Sequence, residues 1–133
     1  MIHYVDTSAA LKLLVEEAES GELAAVLDAA AHAGDRLVAS MLLFTELHCA
    51  ARRRGTGIPI SSATTMLDGL LLVDVERSDL VAAATSEWGL RSADSIHLAT
   101  ALRIEADTMV TYDAELQAAA ARTGLTVVAP ESR

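Results

Sequence analysis

The chain has 133 residues, 52% of them apolar, and a formal net charge of −9. That length suits one domain, spanning residues 1–133, with a sizeable core, and the composition excludes a disordered or fibrous chain. The acid excess argues against a protein that grips nucleic acid through a broad basic face, and it would suit a basic protein partner.

Residues 2–8, Ile-His-Tyr-Val-Asp-Thr-Ser, open the chain. Ile2, Tyr4 and Val5 suit a buried strand that stops at Asp6. Thr7 or Ser8 is placed to cap a helix over residues 9–15. A second helix is predicted over 21–33, with Leu23, Val26 and Leu27 on one face and Gly34 at its end. Residues 36–39 read as a strand, Ser40 as an N-cap, and 42–54 as a helix closed by Gly55 and Gly57. Pro59 opens a helix through residue 70, and 71–75 read as a strand. Ser78 or Asp79 starts a helix reaching Trp88, broken by Gly89. Ser92 is expected to cap a helix over 93–104. A strand at 108–111, a helix at 114–121 and a strand at 125–128 complete the chain before Pro130.

Strands thus alternate with helices throughout, which means an α/β fold with a parallel sheet and right-handed crossovers. No apolar run is long enough to cross a bilayer. No basic segment precedes an apolar stretch at the N-terminus, so it does not read as a signal peptide. Cys49 is the one cysteine, which excludes an intrachain disulfide and a cysteine-built zinc site; a reducing cytoplasm is the default location.

Four acids stand out by position. Asp6 ends the first strand, Glu46 lies early in the helix after the second, Asp94 is in the first turn of its helix, and Asp113 follows the strand Thr-Met-Val-Thr. All are expected at strand carboxyl ends or at the amino ends of the following helices. Those are one edge of a parallel sheet, where ligands bind. The neighbours of Glu46 and Asp94 are apolar, so neither reads as a loose surface charge. Two bare carboxylates about 4 Å apart repel by roughly 4 kcal/mol at an effective dielectric of 20. Gathered acids therefore call for protons or a counter-ion, and hard oxygen donors favour Mg²⁺ or Mn²⁺ over zinc. Each acid also has a structural reading: a helix cap for Asp6 and Asp113, a macrodipole partner for Asp94, a solvated helix face for Glu46.

The ordered set Tyr-Val-Asp-Thr-Ser-Ala at 4–9, Thr-Glu-Leu at 45–47, Ser-Ala-Asp-Ser-Ile-His-Leu-Ala-Thr-Ala at 92–101 and Val-Thr-Tyr-Asp at 110–113 resembles the PIN-domain ribonucleases, in particular the VapC toxins of bacterial toxin–antitoxin pairs. The resemblance spans essentially the whole chain. It implies a three-layer α/β/α sandwich with a short, mainly parallel five-stranded sheet. It also implies a Mg²⁺-dependent endoribonuclease, with Mn²⁺ able to substitute, whose acidic quartet is Asp6, Glu46, Asp94 and Asp113. Asp6 and Asp94 would hold the metal most directly. The resemblance further implies a small homodimer, neutralised by a cognate VapB-type antitoxin whose C-terminal segment occupies the active-site groove.

Ser8 and Thr111 are candidates to hydrogen-bond a carboxylate or a metal-bound water, against ordinary capping or strand roles. His97 follows Asp94 by three residues and is expected to pack beneath the site and hydrogen-bond backbone. His48 and Cys49 read as helix packing, and Trp88 as core or dimer surface. Arg52, Arg53 and Arg54 form the densest positive run. They read equally as a helix end complementing the dipole or as a phosphate contact for RNA, and Arg91 has a similar claim. Two other functions fit some of the same features: a phosphatase with an aspartyl nucleophile, and a non-catalytic acidic module for a basic partner. Ser8 stands where a dehalogenase-like phosphatase wants a second Asp, and Lys12, the only lysine, is misplaced for a response-regulator receiver.

Overall fold

The computed structural model describes residues 1–15 and 19–131. In chain order they form β1 (Ile2–Val5), α1 (Thr7–Leu14), α2 (Ser20–His32), β2 (Arg36–Ser40), α3 (Met41–Arg52), α4 (Ile60–Asp68), β3 (Leu71–Val73), α5 (Arg77–Thr85), α6 (Ser92–Arg103), β4 (Thr108–Val110), α7 (Ala114–Arg122) and β5 (Thr126–Val128). The sheet order is β3-β2-β1-β4-β5, and every pairing is parallel. The chain therefore lays strands to one side of β1, then returns to lay β4 and β5 on the other. The resulting switch point lies between β1 and β4, where an open parallel sheet offers a crevice.

Side-chain alternation along the strands builds two cores. Val5 and Val110, paired in register, face a cluster built with Ala9 and Ala10 of α1, Leu23 and Leu27 of α2, Leu43 and Leu47 of α3, and Leu67 of α4. Tyr4 and Met109, paired one residue earlier, face Leu98 and Ala101 of α6 and Leu116 of α7. α5 packs on α6 and is clipped to it by an ion pair: Arg103 Nε donates to Asp79 Oδ1 at 2.8 Å. Helices thus cover both faces, giving three layers. Among the described residues no helix is long and apolar enough to cross a membrane.

Several boundaries differ from the sequence expectation for physical reasons. The N-cap of α1 is Asp6, whose carboxylate accepts from the Ala9 N–H, while Thr7 and Ser8 are already helical. Arg91, not Ser92, is the extended residue that starts α6, and it makes no side-chain cap bond. Ser40 does cap α3, accepting from the Leu42 N–H. β3 stops at Val73, because the Asp74 carbonyl turns out to accept from Arg103 Nη2 at 2.8 Å. α5 stops at Thr85: Ser86 is extended and swings Trp88 and Leu90 back against the α6–α7 core. Cys49 is exposed rather than packed, because Leu43 and Leu47 take the buried face and Cys49 lies about 200° round the helix from Leu47. His48 is only partly buried; its Nδ1 hydrogen-bonds the Phe44 carbonyl at 2.7 Å and its ring lies 4.2 Å from that of Phe44.

Candidate functional site

At the switch point β1 passes into α1 through Asp6, and β4 ends beside it. The Asp6 N–H donates to the Val110 carbonyl at 3.1 Å, extending the β1–β4 ladder by one step. Asp6 is 2% exposed and is held by three donors. Its Oδ1 accepts from the Ala9 N–H at 3.0 Å and from the Ser8 hydroxyl at 2.8 Å; its Oδ2 accepts from the Thr111 hydroxyl at 2.8 Å. An ionised carboxylate offers about four lone-pair sites, so one remains, on Oδ2. The cap and the site reading are therefore compatible. Burial pushes the Asp6 carboxyl above its usual range, against the pull of these donors.

Ser8 and Thr111 both hydrogen-bond a carboxylate, and each also receives a backbone donor. The Tyr112 N–H donates to Ser8 Oγ at 2.9 Å, and the Asp113 N–H to Thr111 Oγ1 at 3.1 Å. Asp113 itself is the N-cap of α7, its Oδ1 accepting from the Leu116 N–H at 2.8 Å. Its Oδ2 has no partner among the described residues.

Asp94 sits in the first turn of α6, and among the described residues no donor holds its carboxylate. It lines a cleft of about 250 Å³ with Arg91, Asp113, Ala114 and Glu115. Its carboxyl is pushed up by burial, then by the charges of Asp113, Asp6 and Glu46, with His97 opposing. Asp94 thus lies close enough to feel the other three acids.

Glu46 joins from α3, and the contact is built by Thr7, which the sequence offered only as a helix cap, and by His97. Thr7 Oγ1 donates to Glu46 Oε1 at 2.7 Å, and His97 Nε2 lies 2.7 Å from the same oxygen. His97 is 1% exposed, and its Nδ1 hydrogen-bonds the Tyr4 hydroxyl at 2.7 Å. It therefore packs beneath the site as expected but bonds side chains, not backbone. Burial pushes the Glu46 carboxyl up, yet the donors His97 and Thr7 outweigh it and hold the group below its usual range. Burial pushes the Tyr4 hydroxyl well above the ordinary tyrosine range, so it stays protonated. The spacing of His97 from Asp94 was a signal for a shared helix face; its partners, 51 and 93 residues away, left none.

The arginines divide. Arg91 is exposed and lines the same cleft as Asp94 and Asp113. Arg52, Arg53 and Arg54 are exposed at the far end of α3, with Arg52 in the last turn where a cation complements the dipole. Arg52 is six residues, about 9 Å along the axis, beyond Glu46.

Among the described residues no group of three or more acidic, histidine or cysteine side chains forms a ready-made cage for a metal. The side chains at this edge are hard oxygen donors, the kind a divalent cation such as Mg²⁺ takes. The donor set fits: all-oxygen, with an unpaired carboxylate at Asp94 and a spare lone pair on Asp6.

The PIN domain family model matches residues 3–122 of the chain. Ribonuclease VapC47 of Mycobacterium tuberculosis is 35% identical over 130 residues, with 96% of each chain covered. Ribonuclease VapC35 of the same species is 40% identical over 133 residues, again covering 96% of each. Among solved structures, VapBC2 from Rickettsia felis bound to a DNA fragment from their promoter superposes with a TM-score of 0.76 at 14% identity, covering 96% of this chain and 98% of that one. VapC20 of M. tuberculosis, a sarcin-ricin loop cleaving toxin, gives 0.69 at 17% identity, covering 96% and 99%. At those identities the structural likeness speaks for the fold alone.

Proposed function

Because the chain belongs to the PIN domain family and stands among the VapC ribonucleases, we propose that it is a divalent-cation-dependent endoribonuclease that hydrolyses RNA phosphodiester bonds. The observation that supports this reading is that Asp94 and Asp113 line one cleft while Thr111 and Thr7 tie Asp6 and Glu46 to the same edge of the sheet, with Asp94 bearing the charges of the other three and no donor among the described residues. Such an arrangement is costly unless it serves a cation and its phosphate.

Asp6 and Asp94 would hold Mg²⁺ or Mn²⁺, with Asp113 and Glu46 completing the acidic rim. When bound, the cation supplies Lewis-acid stabilisation of the phosphoryl oxygens and a readily deprotonated water. The residues of the chain do the rest. Ser8 and Thr111 fix the orientation of the buried Asp6 carboxylate. Glu46, kept ionised by its donors, is an acceptor for a water proton near the cleft. Arg91 stands on the cleft wall to contact a phosphate, and Arg52 to Arg54 offer a more remote contact for a longer strand.

An acidic groove in a chain of net charge −9 also invites a basic partner segment. The reading includes a cognate VapB-type antitoxin whose C-terminal segment fills the groove, a homodimer as the assembly, and a cytoplasmic site of action. VapBC2 of Rickettsia felis, a relative in fold, was solved bound to a DNA fragment from their promoter.

Mapping of RNA 5′ ends after brief expression, wild type against Asp6→Ala, tests the activity and finds the substrate. New ends with the wild type alone are expected; identical profiles would reject the reading.

A further inference from the structure

Glu46 is gripped by one oxygen only. Thr7 Oγ1 and His97 Nε2 both lie 2.7 Å from Oε1, and Oε2 has no hydrogen-bond partner among the described residues. The carboxylate side chain is 27% exposed, whereas the imidazole behind it is 1% exposed. The ring is fixed from its other side by the Tyr4 hydroxyl, 2.7 Å from Nδ1, and lies edge-on to the Tyr4 ring at 5.7 Å between centroids. Tyr4 is itself wholly buried on β1, two residues before Asp6. A relay of three side chains therefore connects β1, α6 and α3, the elements that carry Asp6, Asp94 and Glu46.

We infer that His97 is a positioning residue: its Nε2–H, aimed by the Tyr4 hydroxyl, holds Oε1 of Glu46 and so presents Oε2 as the working atom of the carboxylate. An ionised carboxylate can only accept, so the 2.7 Å contact with Oε1 puts a proton on Nε2; Thr7 Oγ1, which donates to the same oxygen, lies 3.1 Å from that nitrogen as well. In the neutral ring Nδ1 then accepts from the Tyr4 O–H. A long, flexible Glu side chain has several rotamers to lose, and two donors on one oxygen remove that freedom before any substrate arrives. The catalytic part of this inference rests on the ribonuclease reading; the hydrogen-bond chain does not.

Two measurements separate the parts. Long-range proton–nitrogen correlation on histidine-labelled protein reads which ring nitrogen of His97 is protonated, with no need of activity. A proton on Nε2 is expected, and a bare Nε2 would overturn the inference. Cleavage kinetics then compare His97→Gln, whose amide can still donate to Oε1, with His97→Leu, which cannot. His97→Leu should lower kcat by roughly 10- to 100-fold, the usual cost of losing such an orienting partner, with KM within about two-fold. His97→Gln should recover most of it at an unchanged melting temperature. Equal losses in both variants, or a loss confined to KM, would reject the role. If the wild type cleaves no RNA at all, the ribonuclease reading fails, while the nitrogen spectrum still decides the hydrogen-bond chain.

Discussion

The Thr111 hydroxyl donates to Oδ2 of Asp6 at 2.8 Å, joining the ends of β4 and β1 across 105 residues of chain. Thr111 is wholly buried, and its oxygen also accepts from the Asp113 N–H. Thr111→Val keeps the shape but removes both bonds, leaving a buried carboxylate short of a donor. We expect a loss of about 1–3 kcal/mol, read by urea unfolding in metal-free buffer. Asp6, already raised by burial, loses one of the donors that pull it down. Its protonation therefore moves to higher pH, and the acid limb of the activity profile should move up with it. An unshifted limb would contradict this role for Thr111.

A cation held by Asp6 and Asp94, as proposed, would stabilise the folded state by mass action, by about 2.7 kcal/mol at a hundred-fold excess over Kd. The melting temperature of the wild type should therefore climb with Mg²⁺ or Mn²⁺ concentration. Asp6→Asn and Asp94→Asn should flatten that climb. A scanning-calorimetry titration checks it, and an equal rise in all three proteins would place the cation elsewhere.

Asp94 makes the pH dependence of the metal-free protein informative. Its folded-state carboxyl is raised, by burial first and then by Asp113, Asp6 and Glu46. Between the unfolded and folded values, the folded protein holds a proton that the unfolded chain has lost. Ionisation of Asp94 therefore costs stability above that window, and the cost disappears as pH falls through it. Asp94→Asn should melt about 2–4 °C above the wild type at neutral pH. The gap should close as pH falls to the ordinary carboxylate range. A gap of the same size at every pH would contradict the electrostatic account.

The clip between α5 and α6 has the opposite sign. Burial raises the Asp79 carboxyl, but Arg103 and the Glu76 N–H outweigh it and hold the group below its usual range. This stabilisation is present at neutral pH and is lost as pH falls from the ordinary carboxylate range through the depressed value. Arg103→Ala leaves Asp79, 2% exposed, without its cation. Because the guanidinium is partly solvated, we expect the low end of the buried-pair range, about 3 kcal/mol, by chemical denaturation. A change near zero would show the pair to be ornamental.

The parallel sheet was legible because its strands are short, mostly apolar runs, several of them closed by a polar residue: Val5 before Asp6, Val110 before Thr111. The edge on which the acids gather followed from topology alone. What local pattern did not carry was the pairing of side chains distant in sequence. Glu46 meets His97 and Thr7 only because Thr7, at the start of α1, stands between α3 and α6, its hydroxyl on Glu46 and 3.1 Å from His97 Nε2. Likewise Asp6, not Thr7 or Ser8, caps α1, because its carboxylate stands where the strand ladder ends and reaches the Ala9 N–H. The sequence offered all three as caps, and the backbone angles single out Asp6. Cys49 looked buried from its apolar neighbours, but α3 has one core face and Cys49 is not on it.

The most direct test is a single experiment on purified protein. RNA cleavage is followed against Mg²⁺ concentration for the wild type, Asp6→Asn and Asp94→Asn, each verified as folded. The account predicts saturable, chelator-sensitive cleavage by the wild type and none above background by either variant. Cleavage that persists in both variants, or that is indifferent to removing divalent cations, would contradict it.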